Sequence, residues 1–234
     1  MNEFDAKAGS WDDDPERWKR TQAVAEAIGR EVPLDPGMRA LEYGCGTGQL
    51  SFALRSNLGP ILLADSSVGM LAVLEEKIAK LDAAQQMKPL RLDLEAGLPE
   101  GLTVQIVYSL MVLHHIPDTS RILRAFHALL EPGGFLCLSD LDVEDGSFHG
   151  PGAQVHPGFD RAALRAQLEA AGFTDVRIDT CHSLVRHGRN YSLFLAVAEK
   201  PLKPVRRAEL DGRSEEGRVD ASAQSPQLEI QVPR

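Results

Sequence analysis

Residues 41–50 read LEYGCGTGQL, a short apolar run carrying a glutamate, followed by glycines at positions 44, 46 and 48. Glycine tolerates positive φ in a tight turn, and its missing side chain lets a ligand lie against the main chain. Three of them directly after an apolar run place a strand-to-helix turn here, the position where open parallel sheets bind ligands. A dinucleotide fingerprint needs G-x-G-x-x-G; counted from Gly44 the sixth position is Gln49, and no other glycine rescues the pattern. What remains is E-x-G-x-G-x-G: Glu42, Gly44, Gly46 and Gly48.

Outward from this turn the chain alternates. Apolar stretches at 40–43, 61–64, 90–93, 104–110 and 135–139 read as strands, and amphipathic stretches at 48–57, 68–81 and 119–130 as helices, the last closed by Pro132-Gly133-Gly134. Such alternation implies a mostly parallel sheet covered on both faces. Upstream, Asp14 and Pro15 open a helix to about residue 32, with Trp18, Val24, Ala25 and Ile28 on one face. Downstream, Asp160 caps a helix bearing Leu164, Leu168 and Ala171, and strands at 176–185 and 191–198 are joined by a link so short that an antiparallel hairpin is expected. Three segments follow: 1–37 as a helical extension, 38–200 as the binding domain, and 201–234, rich in Pro, Ser, Glu and Arg, as a disordered tail able to engage a protein partner.

Composition narrows the function classes. A 43% apolar and 25% charged chain of 234 residues accommodates one α/β domain with extensions, and no apolar run is long enough to span a membrane. The polar, acidic N-terminus lacks the features of a secretory leader, so the cytoplasm is the expected compartment. A net charge of −9 argues against nucleic acid as the main ligand and favours a small molecule. Cys45, Cys137 and Cys181 have neither disulfide nor zinc-motif spacing.

The glycine turn together with ILLADSS, LRLDLE, IVYSLMVLHHIPD and LLEPGGFLCLSD resembles the class I S-adenosylmethionine-dependent methyltransferases, in particular the small-molecule group with the E-x-G-x-G-x-G signature. The match runs over roughly residues 39–140 in five ordered motifs. It implies a Rossmann-like, doubly wound, mostly parallel seven-stranded sheet with a C-terminal antiparallel hairpin. It also implies that Glu42, Gly44, Cys45, Gly46 and Gly48 adjoin the methionine part of S-adenosylmethionine. By the same resemblance Asp65, with Ser66, holds the ribose hydroxyls, Asp93 and the Leu94 NH meet the adenine, Met70 reaches the adenosine, and Ser109, Leu110 and His115 border the reacting end. A carboxylate suits a ribose because it accepts from two vicinal hydroxyls at once.

Methyl transfer from a sulfonium needs alignment above all, so no catalytic residue declares itself; His115, His149 and His156 are the candidates for a base if a small-molecule acceptor must lose a proton. No metal is expected, because adjacent His114 and His115 on an extended strand would point to opposite faces. The segment WDDDPERW packs an N-terminal helix on the sheet or forms part of a lid. A second reading is a noncatalytic cofactor-binding scaffold of the same fold.

Overall fold

The computed structural model describes residues 3–150, 152–186 and 188–202; the tail expected at 201–234 lies, from Lys203 onward, outside the described residues. Seven strands, β1 Ala40–Tyr43, β2 Ile61–Asp65, β3 Met87–Arg91, β4 Val104–Leu110, β5 Leu130–Leu141, β6 Thr174–Arg186 and β7 Arg189–Glu199, form one sheet in the order β3-β2-β1-β4-β5-β7-β6. The first five run parallel and β7 is antiparallel to both β5 and β6. The expected doubly wound sheet with its C-terminal hairpin is therefore present.

Successive strand residues feed opposite faces. Ile106 and Tyr108 of β4 join a core with Val24 and Ile28 of α2 (Pro15–Glu31), Leu50 of α3 (Gln49–Leu54) and Leu74 of α4 (Val68–Lys80). Val107, between them, joins the other core with Phe126 of α5 (Thr119–Leu129) and Leu164 of α6 (Arg161–Ala170). Central β1 is buried at all four positions, as a strand covered on both faces must be. Caps fix the helix starts: Asp14, Ser67, Asp118 and Asp160 each accept a backbone NH from the first turn.

Three expectations shift. Strand β3 starts at Met87 and stops at Arg91, so Asp93 lies two residues beyond it; Lys88 and Pro89 hide its start from an apolar count, and Pro is tolerated because β3 is an edge strand. Strand β5 begins at Leu130, since Pro132-Gly133-Gly134 is not a free turn: the Gly133 NH donates to the Lys200 carbonyl and the Lys200 NH to that of Gly134, both at 2.8 Å. Trp18 does not share the buried face of Val24, Ala25 and Ile28. It is 47% exposed over a shallow groove also lined by Phe52, Lys77 and Leu81. Ahead of α2, a short helix α1 (Glu3–Lys7) and a 3-10 segment (Ala8–Asp13) were not anticipated.

Candidate active site

At the carboxyl end of β1 the chain turns through Gly44, Gly46 and Gly48, all at positive φ (70°, 52° and 78°). The Gly44 and Cys45 NH groups both donate to the Ala64 carbonyl (2.8 and 3.0 Å), and the Gly46 NH donates to Asp65 Oδ2 (2.8 Å). The loop is thus tied to the end of β2. A Cβ on Gly46 would face Trp11 Nε1 at 3.5 Å, in the space above the loop. On Gly48 it would meet Leu74 Cδ1 at 2.7 Å, so this glycine serves helix packing and does not line the cavity as expected.

Above the loop lies a cavity of about 580 Å³, within the range of small-molecule sites. Its floor brings together Glu42, Gly44, Cys45, Gly46, Asp65, Ser66, Met70, Asp93, Leu110 and His115, ten of the thirteen residues expected to hold the cofactor. Two more fall outside, besides Gly48. The Leu94 NH donates to Tyr43 Oη (3.3 Å) with the side chain in the core, and Ser109 Oγ donates to the Tyr43 carbonyl (2.7 Å). Each is occupied by β1 before any ligand arrives.

Glu42 is buried, accepting from the Ser51 NH (3.1 Å) and the Ser51 hydroxyl, which in turn contacts Tyr108 Oη (2.7 Å). Burial pushes its carboxyl up to about 8, against the lowering effect of Ser51. Burial also raises Asp65, although the Ser67 and Gly46 NH groups work to lower it. The Cys45 thiol is raised well above its ordinary value by burial and neighbouring Glu42, which makes it a poor nucleophile.

The opposite wall comes from segments whose roles sequence spacing did not reveal. Phe4, Lys7, Trp11, Arg17 and Arg20 from the N-terminus line the cavity, the place a lid would take. Asp5 accepts from Ser67 Oγ (2.6 Å) and the Gly69 NH (3.0 Å); Asp12 accepts from Thr47 Oγ1 (2.5 Å) and Gln49 Nε2 (2.7 Å) and pairs with Lys77. The guanidinium of Arg20 is lowered to about 10 by burial and by Arg17, offset by Asp14 and Asp140, so it stays cationic at neutral pH. Its Nε is buried with no hydrogen-bond partner among the described residues. The aspartate-rich stretch WDDDPERW was the sequence signal for this wall.

Among the histidines, His115 and His149 line the cavity and His156 does not: its ring Nε2 meets the Ile116 carbonyl (2.9 Å) and its NH donates to the His114 carbonyl (2.9 Å). His156 therefore braces the His114–Ile116 segment instead of facing an acceptor. The extended-strand premise also fails. β4 ends at Leu110, Met111 turns at φ 58°, and Leu113–His115 form a 3-10 turn that brings the two histidine rings to 4.1 Å between centroids, tilted at 42°. His114, set aside in sequence as one of a divergent pair, is 1% exposed and also lines the cavity. Its Nδ1 lies 2.7 Å from Asp140 Oδ1, and its NH donates to Oδ2. Burial lowers His149, with His114 and Arg186 adding to the effect.

Comparison with known proteins agrees with this fold. The family model described as a methyltransferase domain matches residues 16–178. An uncharacterized methyltransferase of Schizosaccharomyces pombe is 30% identical over 144 residues, 59% of this chain and 49% of that protein. A ubiquinone biosynthesis O-methyltransferase of Bordetella avium is 29% identical over 161 residues, 63% of each. The chain thus spans about half to two thirds of the length of these relatives. Among solved structures, phosphoethanolamine N-methyltransferase 2 of Haemonchus contortus, in complex with phosphomonomethylethanolamine and S-adenosylhomocysteine, superposes with a TM-score of 0.65 at 19% identity over 79% of this chain and 53% of that one. Among the described residues no helix is long and apolar enough to cross a membrane. With its seven-stranded sheet, its glycine turn and a family match over most of its length, the chain belongs to the methyltransferase domain family of class I S-adenosylmethionine-dependent enzymes.

Proposed function

We propose that the protein transfers the methyl group of S-adenosylmethionine to a small organic acceptor that carries an anionic group. One observation supports this above the others: the cavity is acidic beside the glycine loop, with Asp65 and Asp93, and lined on its other elements by the basic Lys7, Arg17, Arg20 and Arg186. The acidic side suits a ligand rich in hydroxyl and amino donors, whose sulfonium is also cationic. The basic side, with the unpartnered Arg20 Nε, suits a carboxylate or phosphate on the acceptor.

In this reading Asp65 takes the ribose hydroxyls, the bare backbone at Gly44–Gly46 faces the amino-acid part, and Met70 and Asp93 flank the adenosine. The reaction is an in-line displacement. The acceptor's lone pair forms the new bond to the methyl carbon as the bond from that carbon to sulfur breaks, leaving neutral S-adenosylhomocysteine. Holding three atoms in line supplies most of the rate, and a general base is needed only when the accepting atom must lose a proton.

Calorimetric titration of S-adenosylhomocysteine, followed by labelled methyl transfer to paired anionic and neutral acceptors, tests both parts. No binding to the wild-type protein would overturn the cofactor assignment. Equal turnover of the neutral partners, with Arg20→Met indifferent to acceptor charge, would overturn the anionic one.

A further inference from the structure

His114, His115 and His149 converge on the cavity from two segments, the Leu113–His115 turn and the loop after β5, and each offers a ring nitrogen within 4.8 Å of the other two. The ring centroids of His149 lie 4.9 Å from His114 and 5.5 Å from His115. Asp140, fully buried on β5, fixes the tautomer. Its Oδ1 accepts from the Leu141 NH and its Oδ2 from the His114 NH, so both oxygens already act as acceptors and His114 Nδ1, 2.7 Å from Oδ1, is the donor of that pair. The lone pair of His114 is thereby placed on Nε2. That atom is buried, and it has no hydrogen-bond partner among the described residues; neither has His149 Nε2. A buried nitrogen left without a partner is unfavourable, and two of them in one cluster of three histidines point to a ligand.

From this geometry we propose that His114, His115 and His149 form a three-histidine site for a borderline divalent metal ion, zinc or cobalt in preference to magnesium or calcium, with Asp140 as the carboxylate that orients His114. The donor set sets the preference: three imidazoles with no thiolate or carboxylate ligand suit zinc, cobalt, nickel or copper, whereas magnesium and calcium require oxygen. A histidine ligand whose second nitrogen is held by a carboxylate is the usual support for such an ion. Metal–nitrogen bonds of about 2.0–2.1 Å in a tetrahedron put ligand nitrogens roughly 3.3 Å apart, so the rings must close by at most about 1.5 Å. His115 and His149 are half-buried, whereas His114 is held by Asp140, so the closure falls on the first two. Three protein ligands leave a fourth coordination position for a water or a substrate oxygen.

The test reads the metal itself and does not depend on methyl transfer. Cobalt(II) is titrated into chelator-treated full-length protein while visible d–d absorption is followed, and zinc(II) is then added as competitor. The expected result is one saturable equivalent with the intense bands of low-coordinate cobalt, bleached by zinc, and an affinity at least about tenfold weaker in His149→Ala and in His115→Ala. Both replace half-buried residues, and thermal melting confirms that each folds. Absence of saturable uptake at micromolar protein would overturn the site. So would unchanged affinity in both folded variants, or a near-ultraviolet thiolate-to-cobalt band, which would place the ion on cysteine.

Discussion

The two walls of the cavity are built differently. The glycine-loop wall hangs on backbone: the Gly44 and Cys45 NH groups bond the Ala64 carbonyl, and one carboxylate, Asp65, accepts the Gly46 and Ser67 NH groups. The opposite wall is held by side chains reaching across long stretches of sequence, Asp5 to Ser67 and Gly69, Asp12 to Thr47, Gln49 and Lys77. Backbone ladders cost little to keep in one geometry, whereas side-chain clamps partly exposed to water contribute less and open locally. A rigid floor for an invariant cofactor and a looser cover for the acceptor would follow from that difference.

Replacing Asp65 attacks the rigid wall at its hinge and should give the largest effect. Asp65→Ala removes the carboxylate assigned to the ribose, together with the acceptor of the Gly46 NH in the glycine loop and of the Ser67 NH at the start of α4, while the Ala64 carbonyl still holds Gly44 and Cys45. Hydrogen bonds to a charged group contribute about 1.5–3 kcal/mol each, so affinity for S-adenosylhomocysteine should fall on the order of 100- to 1,000-fold. Calorimetry on the folded variant measures this; an unchanged affinity would remove Asp65 from the floor.

Glu42 sharpens the contrast through pH. Its folded value of about 8 lies above the ordinary 4.5, so between these limits the folded state holds a proton that the unfolded chain has released. Stability is therefore greatest below about pH 4.5 as far as this group is concerned, falls as pH rises, and reaches its full loss above about 8. Glu42→Gln, whose amide carbonyl can still accept from Ser51, should flatten the decline of melting temperature between pH 5 and pH 8, recovering roughly 4 kcal/mol at the alkaline end. Parallel declines in both proteins would show that the carboxyl is already ionised.

Gly48 marks where sequence reading succeeded and where it misassigned a cause. The alternation of apolar strands with capped helices was legible because buried parallel strands are uninterrupted apolar runs and each cap is a local signal. The glycine turn was legible as a turn, but one sequence cannot separate a glycine that faces a ligand from one that faces a helix. Gly46 opens onto the cavity, while Gly48 backs onto Leu74. Gly48→Ala should cost ~2 kcal/mol through its positive φ and the crowding at Leu74, seen as a lower melting temperature, with cofactor affinity less affected than stability. The histidine cluster was illegible for another reason. It depends on Met111 leaving the strand at φ 58° and on a loop more than thirty residues away returning His149, neither of which leaves a periodic trace.

The cover should respond weakly and locally. Asp12 sits at the point where the N-terminal segment meets the glycine loop, and its carboxyl stays below the ordinary value: burial works to raise it, but hydrogen bonds from Lys77 and Thr47 prevail. Because the folded value is depressed, the clamp holds above the ordinary carboxylate range and is lost as pH falls through it. Asp12→Asn keeps the shape and removes the charge, so only the pairing with Lys77 and part of the bonding to Thr47 and Gln49 weaken. A partly exposed pair contributes about 1 kcal/mol at most. The expected outcome is faster amide exchange confined to residues 4–11 and about a threefold weaker S-adenosylhomocysteine affinity, with no measurable change in melting temperature. If exchange accelerates equally in the glycine loop, the two walls move as one and the distinction between floor and cover fails. If it stays confined, the N-terminal segment opens independently, and acid should produce the same opening in the unaltered protein.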